Sequence, residues 1–183
     1  MRTMDAAPEL LESAADAALV LAAERPWREV SLRDIAERAG VSFADLYAKA
    51  PSKSALVLHL SDRCDAAALA TAATASDDPH DRLFDAAMAR IEAMEPHREA
   101  LVSMARGENP AIFAALLPRS ARAILEAAGV PATIPRLAAM TAVWARIVQV
   151  WRDDEGALNR TMAEIDKRLK EMRTRLGRIG AGF

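Results

Sequence analysis

A single cysteine, Cys64, is present in 183 residues, so no internal disulfide can brace the fold, and a reducing compartment fits. Aromatic residues are scarce at 4%, with one tyrosine, and nowhere do eighteen uncharged apolar residues follow one another. That excludes a membrane-spanning helix, and the opening MRTMDAAPEL has no apolar run of the kind a signal peptide needs, so a cytoplasmic location is expected and membrane attachment is not. An excess of charge of one sign is also missing: the formal net charge is −2, and any binding to nucleic acid must come from a local patch. His59, His80 and His97 fall in separate segments, His59 and Cys64 do not share a helical face, and neither a glycine-rich phosphate loop nor a paired metal-ligand spacing occurs. No catalysis, metal or cofactor is expected, and the acidic turn Asp153, Asp154 and Glu155 reads as a solvated helix end rather than a cation site.

What the chain does have is alanine and helical periodicity. The hydrophobic share is 52% and the mean hydropathy is zero, a balance that suits a soluble, helix-rich fold. Leu10, Leu11, Ala14, Ala18 and Leu21 recur at helical spacing, and Pro26 ends that first segment at Arg25. Ser31 then opens a short second helix, with Asp34 placed to complete a capping box and Gly40 to supply a left-handed exit after Ala39. The device repeats at once: Ser42 as cap, Asp45 as its partner, Leu46 and Tyr47 facing inward, and Pro51 preventing continuation before Ser52 starts a fourth helix. Two short capped helices joined by a tight glycine turn make a helix-turn-helix, which either forms a corner inside a helical protein or offers its second helix to a DNA major groove.

The residues narrow that choice. The stretch VSLRDIAERAGVSFADLYAKAPSKSAL resembles the amino-terminal signature of TetR-type transcriptional repressors, with a hydroxyl residue opening the second helix, IA-x-x-AGV, VS-x-x-x-LY and PSK, and the resemblance covers roughly residues 8 to 60. It implies that Ser31 and Arg33 lie beside the phosphate backbone, that Ser42, Phe43 and Ala44 face base edges, and that Tyr47, Lys49 and Lys53 reach phosphates. Ile35, Ala36, Ala39, Val41 and Leu46 would pack the three helices, with Trp27 filling the gap between the first two. Ala50 stands where the family usually carries an aromatic residue. Residues 25 to 53 hold six bases and four acids, a net of +2, so binding should be salt-sensitive and should need two copies.

Beyond residue 60 the chain reads as a larger helical body punctuated by SDDPH, MEPHR, GENP, LPRS, AGVPATIP and RDDEG. Asp78 and Pro79 start a helix carrying Leu83, Phe84, Ala87, Met88, Ile91 and Met94; Leu101, Val102, Met104 and Ala105 mark the next. Pro118 should kink or split the segment that follows, which Gly129 closes. Residues 134 to 151 are apolar on two sides, with Leu137, Thr141, Trp144, Val148 and Trp151 on one stripe and Met140, Val143, Ile147 and Val150 on another, which suggests burial against a second subunit as well as the core.

The last helix shows a heptad seam, Leu158, Met162, Ile165, Leu169, Met172, Leu176 and Ile179, within a segment of net charge +4. The seam suits the core or a dimer mate, and its i to i+4 pairs Glu164 with Arg168, Asp166 with Lys170 and Glu171 with Arg175 suit a solvated outer face; a basic helix lying on an anionic bilayer is the competing reading. DRLFDAAMARIEAMEPHREAL and WRDDEGALNRTMAEIDKRL are similar to the lipid-binding accessory proteins of coenzyme Q biosynthesis, which implies a lipid or isoprenoid ligand, peripheral membrane contact and no DNA binding.

The expected fold is therefore all-α and TetR-like: a three-helix DNA-binding head over residues 1–53 and a roughly six-helix ligand-binding and dimerisation body over 54–183. The expected partners are a double-stranded DNA operator, a second copy of the chain, and an apolar small molecule or lipid. The pocket is expected among Met88, Ile91, Met104, Phe113, Leu117, Met140 and Trp144, and the dimer interface at Val143, Ile147, Val150, Ile165, Leu169 and Met172.

Overall fold

The computed structural model describes residues 6–74, 76–154 and 158–183; the first residues of the opening segment and Glu155 lie outside them. Nine α-helices and no strand occur among the described residues. The head is built from α1 (Ala6–Glu24), α2 (Leu32–Ala39) and α3 (Phe43–Lys49). The body helices are α4 (Lys53–Ala70), α5 (Pro79–Met94), α6 (Arg98–Gly107), α7 (Pro110–Ala127), α8 (Ile134–Arg152) and α9 (Asn159–Arg178).

Local chemistry sets most of these boundaries. Ser31 and Asp34 form a reciprocal capping box: the Ser31 hydroxyl accepts from the Asp34 amide at 3.1 Å, and the Ser31 amide donates to Asp34 Oδ2 at 2.9 Å. Gly40 ends α2 at φ 67°, a left-handed conformation that glycine adopts without the Cβ clash other residues meet. The second capping box does not form. Ser42 is the N-cap of α3, but its side chain makes no capping bond, and α3 is held instead by burial of Leu46 and Ala50. Ser52 caps α4 by accepting from the Ala55 amide at 3.2 Å. Asp78 does the same for α5 through the His80 amide, with Pro79 in the first turn, where a missing amide hydrogen costs nothing.

Pro118 does not divide its segment, since α7 runs through it from Pro110 to Ala127. Proline in a helix interior removes one backbone bond, and Leu116, Ala121, Ile124 and Leu125, all buried, supply packing that offsets the loss. The acidic turn also differs from a solvated helix end. Asp154 is buried at 5% exposure, and its Oδ2 accepts both the Thr161 amide at 2.8 Å and the Thr161 hydroxyl at 2.7 Å, which satisfies donors in the first turn of α9.

The chain divides into two compact units, Met1–Asp62 with His97–Phe113, and Arg63–Pro96 with Ala114–Phe183. In the first, α1 packs on α2, α3 and α6, so a helix from well beyond the head braces it. In the second, α9 packs on α8 and α5. Ile165, Leu169, Met172 and Leu176 of the heptad seam are at most 3% exposed, while Met162 and Ile179 at its ends remain at the surface. Val143 and Ile147 are likewise buried and Val150 is half-buried, so the residues expected at a dimer interface serve mainly as the core of this unit. The three α9 ion pairs form as the spacing implies, at 2.7, 2.6 and 3.8 Å, and Arg146 of α8 adds a bond to Glu164 at 3.1 Å.

Candidate nucleic-acid interface

The head presents α3 on a foundation of buried apolar residues. Ile35, Ala36, Leu46 and Ala50 are at most 2% exposed, and Arg38 of α2 clasps Glu24 of α1 through two parallel bonds of 2.9 and 2.7 Å. This fork and the Arg25–Asp34 pair at 2.8 Å hold α2 against the end of α1. The Arg38 hydrogen bonds keep the Glu24 carboxyl below the usual carboxylate range, and the amide and hydroxyl of Ser31 do the same for Asp34.

The ion pairs decide which bases remain for an anionic partner. Arg25 and Arg38 face carboxylates, and Arg28 lies 3.6 Å from its neighbour Glu29. Lys53 is engaged within the head: its Nζ donates to the Trp27 carbonyl at 2.6 Å and sits 4.6 Å from the centre of the Trp27 ring. Burial pulls the Lys53 pKa below the ordinary lysine value, with the charge of Glu108 acting in the opposite sense. Arg33 and Lys49 are exposed and have no carboxylate partner among the described residues. The Arg33 guanidinium lies 5.2 Å from the centre of the Phe43 ring, which places it at the start of α3.

Ser31 and Ser42 are exposed, the first engaged in its capping box and the second with its hydroxyl free of capping. Phe43, Ala44 and Tyr47 are exposed on α3 with Lys49. Tyr47 does not face inward; it is 54% exposed, with its ring 6.0 Å from that of Phe43. Seven of the eight residues expected to meet DNA thus lie on the head's exposed surface, and Lys53 is turned to Trp27.

Trp27 is the centre of a second arrangement that the sequence only hinted at. Its ring is 1% exposed, its amide donates to the Ser103 hydroxyl at 3.2 Å, and its Nε1 donates to Glu108 Oε2 at 3.2 Å. Ser54 donates to the other Glu108 oxygen. Gly107 lies so close that a Cβ there would sit 2.9 Å from the Arg28 amide nitrogen. This cluster joins the turn before α2 to the end of α6 and the start of α4.

The residues expected to line a pocket are divided between the two units. Met88, Ile91, Met140 and Trp144 are buried and Leu117 is half-buried in the second, whereas Met104, buried, and Phe113, half-buried, belong to the first. Beside Trp144 lies a buried ion pair that periodicity alone did not reveal: Arg90 Nε donates to Asp65 Oδ1 at 2.6 Å, and the guanidinium sits 4.8 Å from the Trp144 ring centre. The signal was present, since Arg90 occupies the apolar face of α5 between Ala87 and Met94. Burial pushes the neighbouring Cys64 thiol up. Trp151 donates from Nε1 to Glu95 at 2.7 Å. No helix among the described residues is long and apolar enough to cross a membrane.

Comparison with known proteins agrees with this geometry. Residues 15–60 match the family model of bacterial regulatory proteins of the tetR family. A TetR transcriptional regulator from Rhodococcus sp. RHA1 superposes with a TM-score of 0.70 at 20% identity, over 92% of this chain and 98% of the other. A TetR family transcription regulator from Marinobacter aquaeolei VT8 gives a TM-score of 0.54 at 20% identity, over 93% and 97%. The search of curated proteins returns no match. The chain therefore has the fold of these TetR regulators, and its residues 15–60 are similar to the bacterial regulatory proteins of the tetR family.

Proposed function

We propose that the chain is a ligand-responsive transcriptional repressor that binds operator DNA as a homodimer in the cytoplasm, without catalytic activity. The observation that carries this reading is the exposed face of α3, flanked by Arg33 and Lys49 as bases with no carboxylate partner among the described residues. A helix-turn-helix that served only as an internal corner would bury that face. One head offers few free bases, and affinity for duplex DNA rests largely on neutralised phosphates, so two heads acting together are required for useful binding.

Residues 1–53 are assigned to DNA and residues 54–183 to ligand and dimer formation. The ligand is an apolar small molecule received among Met88, Ile91, Leu117, Met140 and Trp144. Met88, Ile91, Met140 and Trp144 are at most 8% exposed, so the ligand has to repack the core, and a conformational equilibrium biased in this way is the basis of the response. The pairing surface is assigned to the half-buried stripe Leu137, Thr141 and Val148 of α8, because the heptad seam is occupied by the chain's own helices. The same burial argues against the alternative of a lipid- or isoprenoid-binding accessory protein resting on a bilayer. That role needs an apolar face on α9 at the surface, and Ile165, Leu169, Met172 and Leu176 point inward.

Selection of bound duplexes by the full-length protein from a library with a randomised core tests the proposal. Enrichment of an inverted repeat supports a dimeric DNA reader, and failure to enrich any sequence at low salt refutes it.

A further inference from the structure

The outward face of α3 is almost without the side chains that usually read bases by hydrogen bonding. Its seven residues, Phe43 to Lys49, include no arginine, asparagine or glutamine. With Leu46 and Ala50 buried, a helix turning about 100° per residue places Ala44, Asp45 and Ala48 opposite them. Tyr47 then occupies one flank and Lys49 the other, with Phe43, 39% exposed in the first turn of α3, between Tyr47 and the buried face. Arg33, held 5.2 Å from the Phe43 ring, joins the aromatic flank. The long, charged or phenolic side chains therefore stand at the edges, where phosphates run, and the residues at the apex are short and mostly apolar.

We propose that α3 reads its operator mainly through thymine methyl groups, contacted by Ala44, Ala48 and the edge of Phe43, with Asp45 selecting a cytosine or adenine amino group. The inference rests on the DNA-binding reading above and adds the chemistry of recognition to it. In the major groove each base pair presents its own pattern, and the thymine methyl is the one apolar mark in it; alanine and phenylalanine match that mark and no other. The Asp45 carboxylate is acceptor-only, so it is repelled by guanine O6 and N7 and by thymine O4, and is favoured beside cytosine N4 or adenine N6. Ser42, whose hydroxyl makes no capping bond, can donate or accept and so adds little discrimination. Arg33, Tyr47 and Lys49 fix the register on phosphates, which carry no sequence information directly. Two alanines at the apex also let the helix backbone approach the groove floor closely, where short side chains reach the methyl groups.

The test uses the full-length protein and the duplex that the library selection yields, resynthesised with deoxyuridine in place of thymidine inside the half-sites, which removes only the methyl groups. Wild-type affinity should fall about fourfold per contacted methyl, and the same replacement outside the half-sites should change nothing. Phe43→Ala, at a surface position and checked for folding by circular dichroism, should narrow the gap between the thymidine and deoxyuridine duplexes. Lys49→Ala should weaken binding to both equally. Equal wild-type affinity for the two duplexes overturns the inference and leaves DNA binding intact. A methyl-dependent gap untouched by Phe43→Ala overturns the assignment of Phe43. If no duplex is selected at all, the DNA-binding reading falls and this inference falls with it.

Discussion

Replacing Lys49 and replacing Lys53 should have opposite signatures in DNA binding, although both lysines belong to the same sequence motif. Lys49 is exposed and has no carboxylate partner among the described residues, while Lys53 donates to the Trp27 carbonyl at 2.6 Å and lies over the Trp27 ring. Each neutralised phosphate contributes about 0.9 to the slope of log affinity against log salt. With two heads bound together as proposed, Arg33 and Lys49 would make roughly four contacts, for a slope near −3.6, so affinity should fall about a hundredfold between 50 and 200 mM salt. Lys49→Ala removes two of these contacts from the dimer and should reduce the slope to about −1.8. Lys53→Met should leave the slope unchanged and instead lower thermal stability, because it takes away the ammonium that joins the start of α4 to the Trp27 turn. Fluorescence anisotropy of a labelled operator over a salt series measures both slopes. A Lys53→Met slope reduced as much as that of Lys49→Ala would show that Lys53 leaves Trp27 to meet phosphate, and the division of bases drawn from the head's ion pairs would be wrong.

Other consequences follow for stability. Asp34→Ala removes a carboxyl whose pKa is depressed on folding, and such a group stabilises the fold above its unfolded value near 4 and loses that contribution as pH falls through the lower folded value. The gap in melting temperature between wild type and Asp34→Ala should therefore be widest at neutral pH and shrink below about pH 4; a gap constant with pH would deny the capping-box charge its role. Gly107→Ala forces a Cβ to within 2.9 Å of the Arg28 amide and should destabilise the protein by about 1–3 kcal/mol in chemical denaturation, whereas a neutral effect would mean that the Trp27 turn is free to shift. Asp65→Ala removes the carboxylate that accepts from Arg90 Nε in a buried site and should cost about 3–5 kcal/mol. The double replacement Asp65→Leu with Arg90→Met should recover much of that loss, and recovery no better than Asp65→Ala would contradict the ion-pair account.

What the sequence made readable depended on whether the controlling interaction was local. The head was readable almost residue by residue because Ser31 with Asp34, Gly40, Ser52 and Pro51 each act within four positions of themselves. Ser42 shows the limit of the same logic: it is the N-cap residue of α3 and has an aspartate three residues on, the right spacing, yet its side chain makes no capping bond. Tyr47, expected to face inward, is exposed, and Lys53 bonds to Trp27, for a different reason. Whether a side chain at the start or flank of a helix points in or out depends on what the rest of the fold brings to it, and the Trp27 carbonyl reaches Lys53 only in three dimensions. The Arg90–Asp65 pair needs two helices to meet, and a charge on an apolar stripe signals a partner without naming it. The heptad seam of α9 specified an apolar neighbour, and period alone could not distinguish the chain's own α8 and α5 from a second subunit.

The central claim is that the exposed face of α3 reads a specific DNA sequence. Its most direct test is equilibrium binding of the full-length protein to the DNA immediately upstream of its own gene, at low and moderate salt, with wild type compared to Tyr47→Ala and Lys49→Ala. The account predicts salt-dependent, sequence-selective binding by wild type that is strongly weakened in both variants while their helical content is unchanged. Selective binding that both variants retain in full would contradict the assignment of α3 as the reading surface.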